Sequence, residues 1–346
     1  MKTFRILALA LALSVTAGAA CAAEDAEEQK LSFIPTVSGT LRAFYRQSIT
    51  DGTGRFQVAN ARLSAAGDVM PWLDYYMQVD FCDNGKIKIL DAFAGFKPVR
   101  GLKLMLGQMR VPFSVEATRA PWKYYFADPS LTNNFGNLRS VGFKAGYSVP
   151  GTGLYAEGGV FNATDMIDHY NWNSAMTYSV KTSYTTPWGL RPEIAFMSRV
   201  PGGAGAGVRV NQVDAALSWS CGRFFAEAEY IYRHYTGGAH KPSHAYDFFV
   251  DYGLPVRSRI VDKVSFQARL DGITDASSGM KDGSGKLPTT IAAHKRLTGG
   301  VTASRLVGPL FCAFKLNYEH CFYDKTEGRI AAASDSQLVA GMVVKF

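Results

Sequence analysis

The feature that most restricts this chain is a two-residue alternation of apolar and polar side chains, running in stretches of about ten residues from Phe33 onward. The last stretch shows it best. Leu338, Ala340, Met342, Val344 and Phe346 fall on one face, and Gln337, Gly341 and Lys345 on the other. Successive side chains of a strand point to opposite sides, so this period describes strands with one apolar and one partly polar face. A soluble sandwich and a membrane barrel both satisfy it, with the apolar face inward in the first and outward in the second. The connections separate them. Met70-Pro71, Pro98-Val99-Arg100, Pro150-Gly151-Thr152, Pro187-Trp188, Cys221 and Val307-Gly308 are tight turns; between them fall longer polar connections such as Ala163–Asn173, Pro201–Arg209, Gly272–Thr289 and Asp324–Ser334. Outer-membrane barrels keep that rhythm, with turns in the periplasm and loops outside, and a sandwich has no reason to. The expectation is an all-β fold: a transmembrane antiparallel β-barrel of about sixteen strands over residues 33–346. No apolar run of 18 or more residues follows the first 20, so helical membrane spans are not expected. The mean hydropathy of −0.04 is then the average of a lipid face and a water face.

The N-terminus sets the compartment. Met1 to Arg5 is a short basic region, Ile6 to Ala20 is apolar, and Ala20-Cys21-Ala22 fits a small-residue cleavage site. Residues 1–22 therefore read as a secretory signal peptide, followed by a short segment 23–32. A lipidated Cys21 is the alternative, although Gly18 stands where such a site prefers leucine. Without Lys2 and Arg5 the 37 basic residues fall to 35 against 29 acids, a net +6. That excess is spread along the chain, so nucleic acid is not an expected partner. Cys82, Cys221, Cys312 and Cys321 lack C-x-x-C spacing and are read as unpaired. Trp72, Tyr147, Trp188, Trp219, Tyr252 and Phe346 should lie at the turn rim, and Tyr45, Phe81, Tyr232 and Tyr323 at the other, as aromatic girdles do. The expected address is the outer membrane of a Gram-negative bacterium, with its lipid and lipopolysaccharide as surroundings.

Charges on the lipid face of a barrel cost several kcal/mol near the midplane, so the polar face must point inward. That places Arg42, Arg62, Lys103, Lys144, Lys181, Arg269 and Arg296 in a basic lumen wall, with Arg46, Lys97, Arg199, Arg223, Arg233 and Lys315 on the same parity. Inward acids include Asp74, Asp80, Asp91, Glu193, Asp214, Glu227, Glu229, Asp247, Asp251, Asp271 and Glu319. One connection breaks the rhythm. Residues 111–139 are long for a loop without structure of its own, and the roomy place for it is the lumen, where it would constrict the channel. Arg110, Arg119, Lys123 and Arg139 are the candidate eyelet residues for binding anions; salt bridges pinning the loop to the wall are the competing reading. The outward faces of Ala59, Ala61, Leu63, Ala65 and Gly67 and of Leu90, Ala92 and Ala94 are small enough for close packing between subunits.

Residues 55–115 carry a resemblance. Arg55-Phe56-Gln57-Val58-Ala59-Asn60-Ala61-Arg62-Leu63-Ser64, Gly67-Asp68, Pro71-Trp72-Leu73-Asp74-Tyr75, Leu90-Asp91-Ala92-Phe93, Lys97-Pro98, Gly101-Leu102-Lys103-Leu104 and Gly107-Gln108-Met109-Arg110-Val111-Pro112-Phe113-Ser114 resemble the phosphate-selective porin O and P family. Phe346, ending an amphipathic strand, is similar to the signal that outer-membrane barrels present to their assembly machinery. The resemblance implies a sixteen-stranded homotrimeric porin that passes small anions, phosphate among them. A general diffusion porin without phosphate specificity and a closed surface adhesin are the alternatives. No nucleophile–histidine or paired-carboxylate motif stands out, so an enzyme is not expected, nor a cofactor. His234, His240 and His244 share one outer region but do not make a metal motif.

Overall fold

The structure, a computed structural model, describes residues 34–83, 85–163, 172, 175–202, 205, 207–323 and 336–346. The expected signal peptide 1–22, the segment 23–32, Cys21 and the connection Asp324–Ser334 lie outside the described residues, as does most of Ala163–Asn173. Among the described residues there are sixteen strands: β1 Thr36–Ser48, β2 Gly54–Met70, β3 Leu73–Asp83, β4 Lys86–Phe96, β5 Leu102–Arg110, β6 Arg139–Ser148, β7 Leu154–Asn162, β8 Met176–Tyr184, β9 Leu190–Arg199, β10 Val210–Cys221, β11 Phe224–Tyr235, β12 Ser243–Pro255, β13 Lys263–Ile273, β14 His294–Val307, β15 Leu310–Tyr323 and β16 Ser336–Lys345. Each pairs antiparallel with its neighbours in sequence, and β1 pairs with β16 from Thr40↔Lys345 to Ser48↔Gln337 to close the barrel. Closure leaves no sheet edge unpaired, which a wall in hydrocarbon requires.

The alternation carries through. On β15, Ala313, Lys315, Asn317 and Glu319 are buried inside, while Phe314, Leu316 and Tyr318 are exposed outside. Trp72, Tyr147, Trp188, Trp219, Tyr252 and Phe346 are all exposed at the turn end. At the other end Phe81 is exposed, while Tyr45, Tyr232 and Tyr323 are half-buried. Among the two-residue hairpins are Gly222-Arg223 and Gly308-Pro309, whose glycines take φ of 58° and 57°, a conformation that suits the strand twist.

Several expectations need correcting. Cys221 ends β10 rather than forming a turn, so Arg223 sits in the turn and is exposed, not on an inward face. Lys97 lies beyond β4, where Nζ is 2.9 Å from both Asp68 and Asp74. Residues 290–293 do not extend β14: Ile291 folds back to bridge Ala276 inside its loop. Two bulges reset the parity. Arg42 pairs with Asn60 but Ala43 pairs with Val58, leaving Ala59 extra, and it packs against the interior cluster around Phe44. In the same way Asp91 pairs with Gln78 and Ile89 with Val79, leaving Leu90 extra and buried. The small outward stripe therefore shrinks to Ala61, Leu63, Ala65, Gly67, Ala92 and Ala94. A strict two-residue count cannot see a bulge, because one added residue turns every later side chain over.

Candidate functional site

The long connection after β5 occupies the lumen. It holds short helices at Val115–Thr118 and Asn133–Gly136 and a 3-10 turn at Pro121–Lys123. Arg139 is the first residue of β6 rather than the last of the loop. Ser114 caps the first helix, its Oγ accepting from the Ala117 amide at 3.1 Å. Its own φ is +66°, unusual for a residue with a side chain. Two bonds hold it there: Ser114 Oγ donates to Glu229 at 2.7 Å, and the Val115 amide donates to the same oxygen at 2.6 Å. A Cβ at Gly136 would come within 2.4 Å of the Ser114 Cβ, so the two helices meet only because this residue is glycine.

The loop is gripped along both edges. Six consecutive carbonyls, those of residues 124–129, accept from wall cations. Lys315 reaches Tyr124, Tyr125 and Phe126, Arg42 reaches Ala127, Arg269 reaches Asp128 at 2.9 Å, and Arg296 reaches Pro129 at 2.7 Å. Arg46 adds a two-pronged bond to the Asp128 carboxylate at 2.6 and 2.5 Å. On the other edge loop donors meet wall acids. Thr132 Oγ1 bonds Glu229, the Leu131 amide bonds Asp271 at 2.8 Å, and Arg119 bonds Glu227 at 2.6 and 2.7 Å. Behind these contacts Phe113, Leu131 and Phe135 of the loop pack with inward Met109, Met197 and Ile231 in one buried cluster. Apolar residues on the inward parity were the signal for this plug; reading only the charges of that face missed it.

Most of the predicted basic wall therefore holds protein rather than open lumen. Arg42, Arg269 and Arg296 bind loop carbonyls, and Arg296 also pairs with Asp271 at 2.6 Å. Lys181 pairs with Glu193 at 2.9 Å and reaches Thr118 at 3.2 Å. Lys103 pairs with Asp74 at 2.7 Å, Lys144 with Glu157 at 3.1 Å and Arg62 with Asp80 at 2.8 Å.

Beside the loop, on the β2–β6 side, lies a cavity of about 200 Å³ lined by Arg62, Arg110, Arg139, Tyr76, Gln78 and Asp91, with Trp122 on the loop side. Arg110 and Arg139 are direct cross-strand partners. Arg139 is bonded to Asp91 at 3.1 and 3.4 Å, whereas Nη1 of Arg110 is buried with no hydrogen-bond partner among the described residues. Of the four predicted eyelet residues the structure brings together these two, joined by Arg62. It does not bring Arg119, whose guanidinium lies between Glu116 and Glu227 and over the Tyr125 ring. Nor does it bring Lys123, which is exposed with Nζ 5.1 Å from the Trp122 ring centre. Tyr76, Gln78 and Trp122 were not anticipated; Tyr76 and Gln78 could have been found by extending the inward count to uncharged residues. Three guanidiniums, two of them paired with Asp80 and Asp91, leave one cation in excess and make a donor-rich cavity suited to planar or tetrahedral oxyanions. Among the described residues no histidine, cysteine or carboxylate cluster has the arrangement of a metal site; His244 Nδ1 lies 2.6 Å from the Tyr230 hydroxyl.

The sequence model of the phosphate-selective porin O and P family matches residues 39–186, which contain the residues that carried the resemblance. Among curated proteins, none matches. Solved structures share the fold at low identity. An anion-selective porin from Comamonas acidovorans superposes with a TM-score of 0.62 at 13% identity, covering 90% of this chain and 98% of that one. OmpF of Salmonella typhi, solved with daunomycin, gives 0.62 at 12%, covering 90% and 97%. The trimer form of OmpT from Vibrio cholerae gives 0.57 at 12%, covering 90% and 99%.

Proposed function

We propose that this chain, an outer-membrane porin with a closed sixteen-stranded barrel, passes small anions by passive diffusion through the gap beside its internal loop. The observation that carries the reading is Arg110, a half-buried arginine with an unpartnered Nη1, set against Arg139 and Arg62 in the cavity beside the loop. An entering oxyanion supplies the acceptor that Arg110 lacks. Arg62 and Arg139 already have carboxylates of their own, so they add field without gripping the solute. That division is what conduction needs, since a solute must be drawn in and also released. The family match and the anion-selective porin from Comamonas acidovorans support the same selectivity. Phosphate is one oxyanion this geometry accommodates. The test is a reversal potential across a planar bilayer in a potassium chloride gradient, followed by phosphate titration of the chloride current. A chloride-favouring potential with saturable phosphate block is expected; a potassium-favouring potential would overturn the anion reading, and absence of block would remove phosphate.

The assembly we propose is a trimer, as in the OmpT structure, meeting through the small outward residues of β2 and β4 and the outward side of β16. Crosslinking in outer membranes should give a three-subunit species, and monomers alone would refute it. Phe346, exposed at the rim and paired with Gly39, is the proposed contact for the assembly machinery.

A further inference from the structure

We infer a second solute-binding subsite at the periplasmic end of the lumen, built for a neutral hydroxylated ring such as a sugar. It is separate from the arginine constriction and rests on different residues. A cavity of about 470 Å³ opens beside the β10–β11 turn, lined by Tyr125, Phe225, Arg223, Asp251, Asp262 and Lys263. Tyr125 and Phe225 stack with ring centres 5.0 Å apart and planes 8° from parallel, and Phe249 packs against both, at 4.7 and 5.7 Å. Phe225 pairs with Asp251 across the sheet and so stands on the inward parity, half-buried where water fills the barrel. An aromatic ring there, outside the apolar plug, leaves costly surface against water unless a solute covers it.

The groups around the rings decide which solute. Two carboxylates and two cations balance, so this cavity lacks the positive excess of the constriction and does not select for charge. Asp251 and Asp262 accept hydrogen bonds and Arg223 and Lys263 donate them, which is the mixture that hydroxyl groups satisfy. Asp251 is braced by Gln267 at 2.8 Å and Lys263 at 3.5 Å, and Asp262 accepts from the Leu306 amide at 3.0 Å, so both carboxylates are held in place. Tyr125 is covered by Phe225 on one side and has the Arg119 guanidinium over its ring, so Phe225 is the ring left to meet the C–H face of a pyranose, and the volume lies in the range of small-molecule sites, roughly 300–1,000 Å³.

The test adds glucose, or sorbitol as an open-chain polyol with no flat face, to the periplasmic side of single channels in a bilayer. Glucose should reduce the ion current saturably, and sorbitol only in proportion to its effect on bulk conductivity. Phe225→Ala should weaken glucose block at least five-fold while leaving the chloride reversal potential unchanged; Tyr125→Phe, which keeps the stack, should retain the block. Equal responses to glucose and sorbitol in the unmodified protein would overturn the subsite even if Phe225→Ala fails to fold, and so would undiminished block in that variant. The reversal potential, read in the same recordings, reports on the anion reading independently.

Discussion

Strands β9–β13 and strands β2–β6 obey the same alternation, yet the loop packs against the middle of one wall and leaves a cavity along the other. On β9–β13 the inward face offers Glu227, Glu229 and Asp271 as acceptors and Met197 and Ile231 as apolar contacts, and the loop supplies the matching amides, hydroxyls, guanidinium and phenyl rings. On β2–β6 the inward face offers Arg62, Tyr76, Gln78, Arg110 and Arg139, and the loop faces them across open space. Sign and shape of the inward side chains thus decide where the opening lies, more than the barrel's width does. Charges that find loop partners become structure; those left over are the ones we propose set selectivity.

That contrast can be broken at Glu229, where the largest effect is expected. Glu229→Leu strips the acceptor from Ser114 Oγ, the Val115 amide and Thr132 Oγ1 together, and orphaning each buried donor costs about 1–3 kcal/mol. The loop should leave the wall, and single-channel conductance should rise several-fold and become noisy; an unchanged, quiet channel would mean the apolar contacts hold the loop alone. Next comes the open side. Arg110→Glu puts a negative charge where the cation lacks a counter-ion, so the reversal potential should swing toward cations. Arg119→Gln removes a cation already shared by two carboxylates and should move selectivity far less.

Acid should act more gently, through the basic-side grip. Burial favours the neutral form of Asp128, but the Arg46 hydrogen bonds and charge outweigh it and hold the carboxyl below its usual range. A depressed folded-state value means that this grip is fully present above the ordinary carboxylate pKa, about 3.9, and is lost as the pH falls through the lower folded value. Conductance should be flat from neutral pH to about 5 and rise only under stronger acid, and Asp128→Asn should show the raised level at neutral pH. The smallest effect belongs to the rim. Lys97→Ala removes a half-exposed pair and should change stability by less than about 1 kcal/mol and selectivity not at all, as urea unfolding and reversal potentials would show.

How much of this was legible in the residues follows from the range of each interaction. Strand identity and inward parity are local, so Lys315, Asn317 and Glu319 on β15 could be placed from their neighbours alone. Bulges at Ala59 and Leu90 are equally local but silent, because they alter no residue type. The positions of the four expected eyelet residues were half legible. Arg110 and Arg139 flank the loop and are cross-strand partners by construction, whereas Arg119 pairs with Glu227, 108 positions away, and Lys315 with carbonyls about 190 positions away. Alternation assigns a side chain to the lumen but not to a partner there, since that depends on how the loop folds. The wall cations point inward, and most of them bind the loop or a neighbouring carboxylate.

The hydrogen bonds between Phe346 and Gly39, at 2.7 and 3.0 Å, join positions about three hundred residues apart, with the Phe346 ring lying where a side chain on Gly39 would have to go. The stave that completes this cask is the last one cut. Without β16, β1 and β15 would each keep an unpaired edge open to another strand. Contacts this distant in sequence form slowly, although the entropy of closing a loop rises only with the logarithm of its length. Exchanging the terminal ring for a small residue should leave the finished wall little altered while lengthening the interval during which those edges must be chaperoned.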